Sequence, residues 1–148
     1  PRGKRRLGSL KRQAAETDDG FGGTMADNPN FKRKLAEAEI ELLALEYSEL
    51  RTLAALTVGK APGPESSILK IVGTELAQSM DEMLVELAGY GCLPFLPEQY
   101  EEGFEGEIFG PGNSASAALT YFNNRKLSIF GGSNEIQRNI ISKAVLGL

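Results

Sequence analysis

The sequence contains no histidine and no tryptophan, and its one cysteine is Cys92. Without histidine the chain lacks the commonest general base and the commonest metal ligand, and a single cysteine cannot close an internal disulfide. Zinc sites and Ser-His or Cys-His nucleophile machinery are set aside on this ground, so the expectation is no metal site. Acid–base chemistry would fall to a carboxylate, a lysine or a tyrosine. Long apolar runs are missing too. None approaches the roughly 20 residues that cross a bilayer, and no charged-then-apolar leader with a small-residue cleavage site opens the chain. The reading is a cytoplasmic protein with no membrane partner. Positive charge is short overall, with 16 Lys and Arg against 20 Asp and Glu, and the net charge of -4 speaks against nucleic acid as a partner. The first twelve residues reverse that balance with Arg2, Lys4, Arg5, Arg6, Lys11 and Arg12. They read as a solvated helix face rather than a nucleic-acid arm or a phosphate-facing helix.

What is present suits one globular domain. The 148 residues are 41% apolar and 24% charged, enough for a core without a staple. The chain opens on Pro1 rather than Met, which we take to mean a piece of a longer protein with sequence upstream.

Apolar spacing then divides the chain into helices. Leu7, Leu10 and Ala14 predict a first helix over 4–16, stopped by the Asp18-Asp19-Gly20 and Gly22-Gly23 breakers. Asn28 as N-cap and Pro29 at the first position start a long second helix ending before Gly59. Its stripe of Phe31, Leu35, Ala38, Leu42, Leu45, Leu50 and Leu53 is expected to be buried. After the Ala61-Pro62-Gly63-Pro64 turn, Ile68, Val72, Leu76, Met80, Met83 and Leu87 predict a third stripe ending at Gly89-Tyr90-Gly91. Met80 and Met83 read as core filling. From Cys92 to Asn113 no period survives among Pro94, Pro97, Gly103, Gly106, Gly110, Pro111 and Gly112, with Phe95, Tyr100, Phe104 and Phe109 between them. So long a stretch reads as a lid, a disordered strip, or a segment packed on something outside this chain. A fourth helix is expected from Ser114 or Ser116 to about Leu127, and a fifth from Ser133 to Leu146, with Gly147 as its stop. The fifth carries a narrow apolar seam of Ile136, Ile140, Ala144 and Val145, with Leu148 beyond. No strand with period-two alternation stands out. The fold class is all-α, an antiparallel helical bundle.

Two glycines ahead of a capped helix, Gly131-Gly132-Ser133, let backbone approach another surface and leave helix N–H groups for a polarised oxygen or phosphate. A tight corner with a cap is the plainer account of three such residues. The whole stretch Phe130-Gly131-Gly132-Ser133-Asn134-Glu135-Ile136-Gln137-Arg138-Asn139-Ile140-Ile141, followed by Ala144-Val145-Leu146-Gly147-Leu148, says more. It resembles the carboxyl-end signature of the acyl-CoA dehydrogenases. Ala36–Glu46 and Gly63–Lys70 are similar to the two long helices of that family's terminal bundle. The resemblance covers Asn28 to Leu148 well and the first helix loosely. It looks closest to bacterial members, some of them built from pairs of unlike subunits, such as the pimeloyl-CoA dehydrogenase large subunit.

The resemblance implies that residues 1–148 form the C-terminal helical domain of an FAD-dependent enzyme whose amino-terminal helical and middle β-domains lie outside this chain. It implies oxidation of an acyl-CoA substrate to a trans-2-enoyl-CoA, with electron-transfer flavoprotein or a similar acceptor as partner and a homo- or hetero-oligomeric assembly of the same family. Cofactor contacts carry over to Gly132, Ser133 and Glu135, and to Gly89 for the FAD of a neighbouring subunit. No catalytic residue is expected here. Many members carry the catalytic glutamate directly before the second glycine of the turn, where this sequence has Gly131. Others supply the base from an earlier helix, upstream of Pro1. The Arg-Phe-Gly motif that holds FAD pyrophosphate in many members is replaced by Gly20-Phe21-Gly22-Gly23. Two further readings stand beside this one: a non-catalytic partner subunit of a heteromeric dehydrogenase, and a free-standing helical module led by the basic first helix. Glu37, Glu39, Glu41, Glu46 and Glu49 read as the solvated side of a helix, and Cys92 as an inert loop thiol.

Overall fold

The structure, a computed structural model, describes residues 2–59, 61, 63–107, 110 and 114–147. Among these described residues five helices follow one another: α1 (Arg2–Glu16), α2 (Pro29–Thr57), α3 (Glu65–Ala88), α4 (Ser114–Asn124) and α5 (Asn134–Leu146). Short 3-10 turns lie at Gly89–Cys92, Pro97–Tyr100 and Arg125–Ser128. No strand occurs among the described residues, only an isolated bridge from Asp18 to Thr24. The all-α bundle is the fold the periodicity predicts.

α3 is the hub, packed against each of the other four helices. The start of α2 meets the end of α3 through Lys34 and Glu86, 2.6 Å apart, and Leu45 lies against Gly73, so the two long helices are antiparallel. α1 runs antiparallel to α2, pairing Lys4 with Glu46 and Lys11 with Glu39. Part of the basic first helix is thus spent on the acidic face of α2. The core gathers Leu7, Leu10 and Ala14 from α1, Phe31, Leu35 and Ala38 from α2, and Leu76, Met80, Met83 and Leu87 from α3. Beside it lies a buried ion pair. Asp81 is fully buried, its Oδ1 is met by the Arg6 guanidinium, and its Oδ2 accepts from Asn124 Nδ2 at 2.9 Å, which ties α1, α3 and α4 together. Burial draws the Arg6 pKa below its ordinary value.

Local signals give the ends they predict. Asn28 Oδ1 accepts from the N–H groups of Asn30 and Phe31, and Pro29 opens α2. Gly147 closes α5 at φ 71°, the left-handed conformation that favours glycine.

Four expectations are corrected. The α2 stripe is buried only at its start: α1 and α3 pack over Phe31, Leu35 and Ala38, and the described helices leave Leu50 and Leu53 55% and 51% exposed. On α3 the buried face passes through Ile71 rather than Ile68, which is 45% exposed. The α5 seam is open as well, with Ile136, Ile140 and Val145 all exposed. α4 ends at Asn124, short of Leu127, where Gln78 Nε2 takes the carbonyls of Asn124 and Arg125 at 3.1 Å and the chain tightens into a 3-10 turn. Cys92 is buried with Ala88 and Ala117, its thiol donating to the Gly89 carbonyl. In the aperiodic stretch Phe95 is exposed and Tyr100 Oη bonds to the Ala115 carbonyl. Pro1, Pro62, Phe109, Pro111, Gly112, Asn113 and Leu148, named above, lie outside the described residues.

Candidate functional site

The turn between the 3-10 segment Arg125–Ser128 and α5 is where the backbone is least ordinary. Gly131 and Gly132 both have positive φ, 68° and 89°, and two successive residues of that kind need glycine. A Cβ on Gly131 would meet nothing within 4 Å, whereas one on Gly132 would strike Gln137 Nε2 at 2.7 Å. Gly131 therefore faces open space, and Ile129 and Phe130 beside it are 65% and 59% exposed. Ser133 then takes an extended conformation and its Oγ accepts from Ile136 N at 3.4 Å, capping α5. The Glu135 carboxylate is held below its ordinary pKa. Its own backbone N–H and the Ser133 hydroxyl donate to it, and Arg138 and Lys70 add favourable charge.

A polar cluster seats this turn on α3. Asn134, 4% exposed, accepts at Oδ1 from Lys70 Nζ at 2.6 Å and from Thr74 Oγ1 at 3.3 Å, while its Nδ2 reaches Glu75 Oε1 at 3.4 Å. Lys70 Nζ also donates to the Ser128 carbonyl at 3.1 Å, and Arg138 pairs with Glu75 at 2.7 Å. None of these anchors was singled out from sequence. The available signals were a lysine inside the α3 apolar stripe and an asparagine, a poor helix former, at the first position of α5.

Of the sequence-predicted contact residues, Gly132, Ser133 and Glu135 come together in this turn. Gly89 does not join them. It ends α3 at φ 53° and ψ -138°, roughly 22 Å along the helix axis from Thr74. The α1–α2 loop, where the Arg-Phe-Gly motif is replaced, has its amides occupied: Asp18 Oδ1 accepts from Gly20 N, and Asp19 Oδ1 from Phe21 N and Gly23 N, at 2.6–3.0 Å. Two carboxylates on amides already used do not fit a pyrophosphate. The glycine turn, open at Gly131, does fit the close approach of a planar ring.

The family model for the acyl-CoA dehydrogenase C-terminal domain matches residues 5–146. The chain belongs to the acyl-CoA dehydrogenase family. Over 123 residues, 83% of this chain, it is 28% identical to acyl-CoA dehydrogenase IpdE1 of Mycobacterium tuberculosis, and the match takes in 28% of that protein's length. Two solved structures share the fold. A chain of the ChsE4-ChsE5 complex from Mycobacterium tuberculosis aligns at TM-score 0.71 and 24% identity, covering 99% of this chain and 35% of that one. A chain of the electron transferring flavoprotein of Acidaminococcus fermentans aligns at TM-score 0.71 and 16% identity, covering 97% and 33%. This chain therefore spans about a quarter of the length of the curated relative it matches. Among the described residues, no helix is long and apolar enough to cross a membrane and no cluster of three or more Cys, Asp or Glu is placed to hold a metal ion.

Proposed function

We propose that this chain is the C-terminal domain of an FAD-dependent acyl-CoA dehydrogenase that converts an acyl-CoA thioester to a trans-2-enoyl-CoA, and that it is inactive by itself. The observation carrying the proposal is the turn at 130–133, in which two adjacent glycines have positive φ, Gly131 faces open space, and a capped helix begins immediately behind them. FAD, when bound, supplies the acceptor for hydride from the carbon β to the thioester. This chain's part is to offer Gly131 and Gly132 as a flat wall, with the α5 N-terminus polarising whatever oxygen lies against it. Gly89, at the other end of α3, is assigned to the cofactor of a neighbouring subunit. The assembly is an oligomer of like or unlike family chains, electron-transfer flavoprotein or a similar acceptor takes the electrons, and the compartment is the cytoplasm. The relative in an unlike-chain complex, ChsE4-ChsE5, supports the hetero-oligomeric form.

Gly131 favours a second reading, a non-catalytic partner subunit, because it brings no carboxylate to the turn. Gly131→Glu separates the two. The site has room for a Cβ, but its φ of 68° disfavours any side chain, by about 1–2 kcal/mol. In the full-length protein, dye reduction by acyl-CoA substrates should be present in the wild type and weakened by the glutamate. That loss is expected if the base comes from elsewhere, since two carboxylates near one proton raise at least one pKa. An inactive wild type rescued by the glutamate supports the partner subunit, and no change in either direction removes the turn from the site. The isolated chain should purify without flavin absorbance; a yellow, stoichiometric protein would place the cofactor contacts within these 148 residues.

A further inference from the structure

Both ends of the glycine turn land on one ammonium. Lys70, half-buried on α3, donates to the Ser128 carbonyl on the entering side, at 3.1 Å, and to Asn134 Oδ1 on the leaving side, at 2.6 Å. Between those points the contacts run to the turn's own flanks. The Ile129 and Phe130 amides donate to the Lys126 carbonyl, the Lys126 ammonium lies 5.3 Å from the Phe130 ring centroid, and Gln137 Nε2 reaches the Gly131 carbonyl at 3.4 Å. Those bonds shape the turn but do not fix it to the bundle. Residues 128 and 134 are joined to α3 through Lys70, with Thr74 and Glu75 helping to hold the buried Asn134, while Arg125 before the turn and Arg138 after it make their own bonds to Gln78 and Glu75 of α3.

An ammonium suits this task because its three donors point in different directions and its charge strengthens each bond. A neutral apolar side chain would leave the Ser128 carbonyl without that donor and Asn134 Oδ1 with only the longer bond from Thr74. We propose that Lys70 is a positioning residue for residues 129–133, setting how far Gly131 and Gly132 stand out from α3 and hence how they meet a bound ligand. The proposal rests on the reading of this turn as the cofactor-side wall, and it adds the group that holds the wall in place.

The test is Lys70→Met in the full-length holoprotein, with Lys70→Arg as the conservative variant. Amide hydrogen exchange is followed by mass spectrometry on peptides from 126–140 and from α2. Lys70→Met should speed exchange in 126–140 about tenfold while α2 is unchanged, and Lys70→Arg should restore most of the protection. The same variant should raise KM for acyl-CoA and shift the flavin absorbance band, because the wall has moved. Unchanged exchange in 126–140 overturns the proposal. Faster exchange with unchanged flavin spectrum and KM upholds the clamp but overturns the cofactor-side reading beneath it, so the two failures are told apart. If Lys70→Met yields too little folded protein, Lys70→Gln, which keeps one donor group, should give the same pattern at reduced size, and its absence is equally decisive.

Discussion

The two ends of the bundle are built to different standards. At one end α1, the start of α2, the end of α3 and α4 enclose Phe31, Leu10, Met83 and the fully buried Asp81. At the other, the second half of α2 carries Tyr47, Leu50, Leu53 and Val58 into the open, and α5 does the same with Ile136, Ile140 and Val145. The apolar spacing is alike in both. What differs is whether a described helix lies over the stripe. Periodicity thus reports which face of a helix is apolar, not what covers it. The proposed site sits at the open end, where shape is kept by polar bonds rather than by packing.

The sharpest way to break this contrast is at the closed end. Asp81→Ala strands the Arg6 guanidinium and removes the acceptor of Asn124, and breaking a buried pair of this kind costs about 3–5 kcal/mol. Urea unfolding of the purified chain measures it. Replacing both partners, as in Asp81→Leu with Arg6→Met, should recover much of that loss. If the single variant costs under about 1 kcal/mol, the pair does not organise the closed end.

A matched pair of truncations sharpens the comparison. Phe31 is fully buried, so Phe31→Ala should cost about 3–5 kcal/mol, whereas Leu53→Ala, at a site 51% exposed, should stay within about 0.5 kcal/mol in the isolated chain. Repeating Leu53→Ala in the full-length assembly adds information. A much larger cost there would mean that another part of the protein or another subunit covers the face. Equal costs for Phe31 and Leu53 in the isolated chain would erase the difference between the ends.

What was legible in the sequence follows the same division. Asn28-Pro29, Ser133 and Gly147 act within one turn of their own helix, so spacing and residue type locate them. The glycine turn was legible for a like reason, as positive φ leaves a glycine at both Gly131 and Gly132. Lys70, Asn134, Arg6 and Asp81 act across long stretches of chain, and nothing in their local pattern says which partner folding will supply. Leu50 and Leu53 misled because a pattern marks an apolar face without naming what covers it.

Caps should show a smaller effect than these. Asn28 accepts two N–H groups at 3.0 and 3.2 Å, and Asn28→Ala should cost about 1 kcal/mol. Ser133 accepts one at 3.4 Å, at the edge of useful geometry, so Ser133→Ala should cost less, by thermal unfolding of both variants. A larger loss at Ser133 would mean that the open end depends on its cap more than on the Lys70 clamp.

The smallest expected effect is electrostatic and lies at the α5 N-terminus. Glu135 is fully exposed, yet its pKa is lowered, first by its own backbone N–H, next by the Ser133 hydroxyl, with Arg138 and Lys70 contributing less. A carboxylate whose folded pKa lies below its unfolded one adds stability above the ordinary unfolded value, near 4.3 for glutamate. That contribution fades as pH falls through the lowered folded value and is gone in stronger acid. Glu135→Gln removes the charge while keeping shape, so the wild type should melt slightly higher than the variant at neutral pH. The gap should narrow below about pH 4 and close under more acidic conditions. Because the side chain is exposed, added salt should narrow the neutral-pH gap as well. A gap that persists unchanged into acid would mean that Glu135 acts through something other than its charge, and the open end would then have no electrostatic component of its own at this cap.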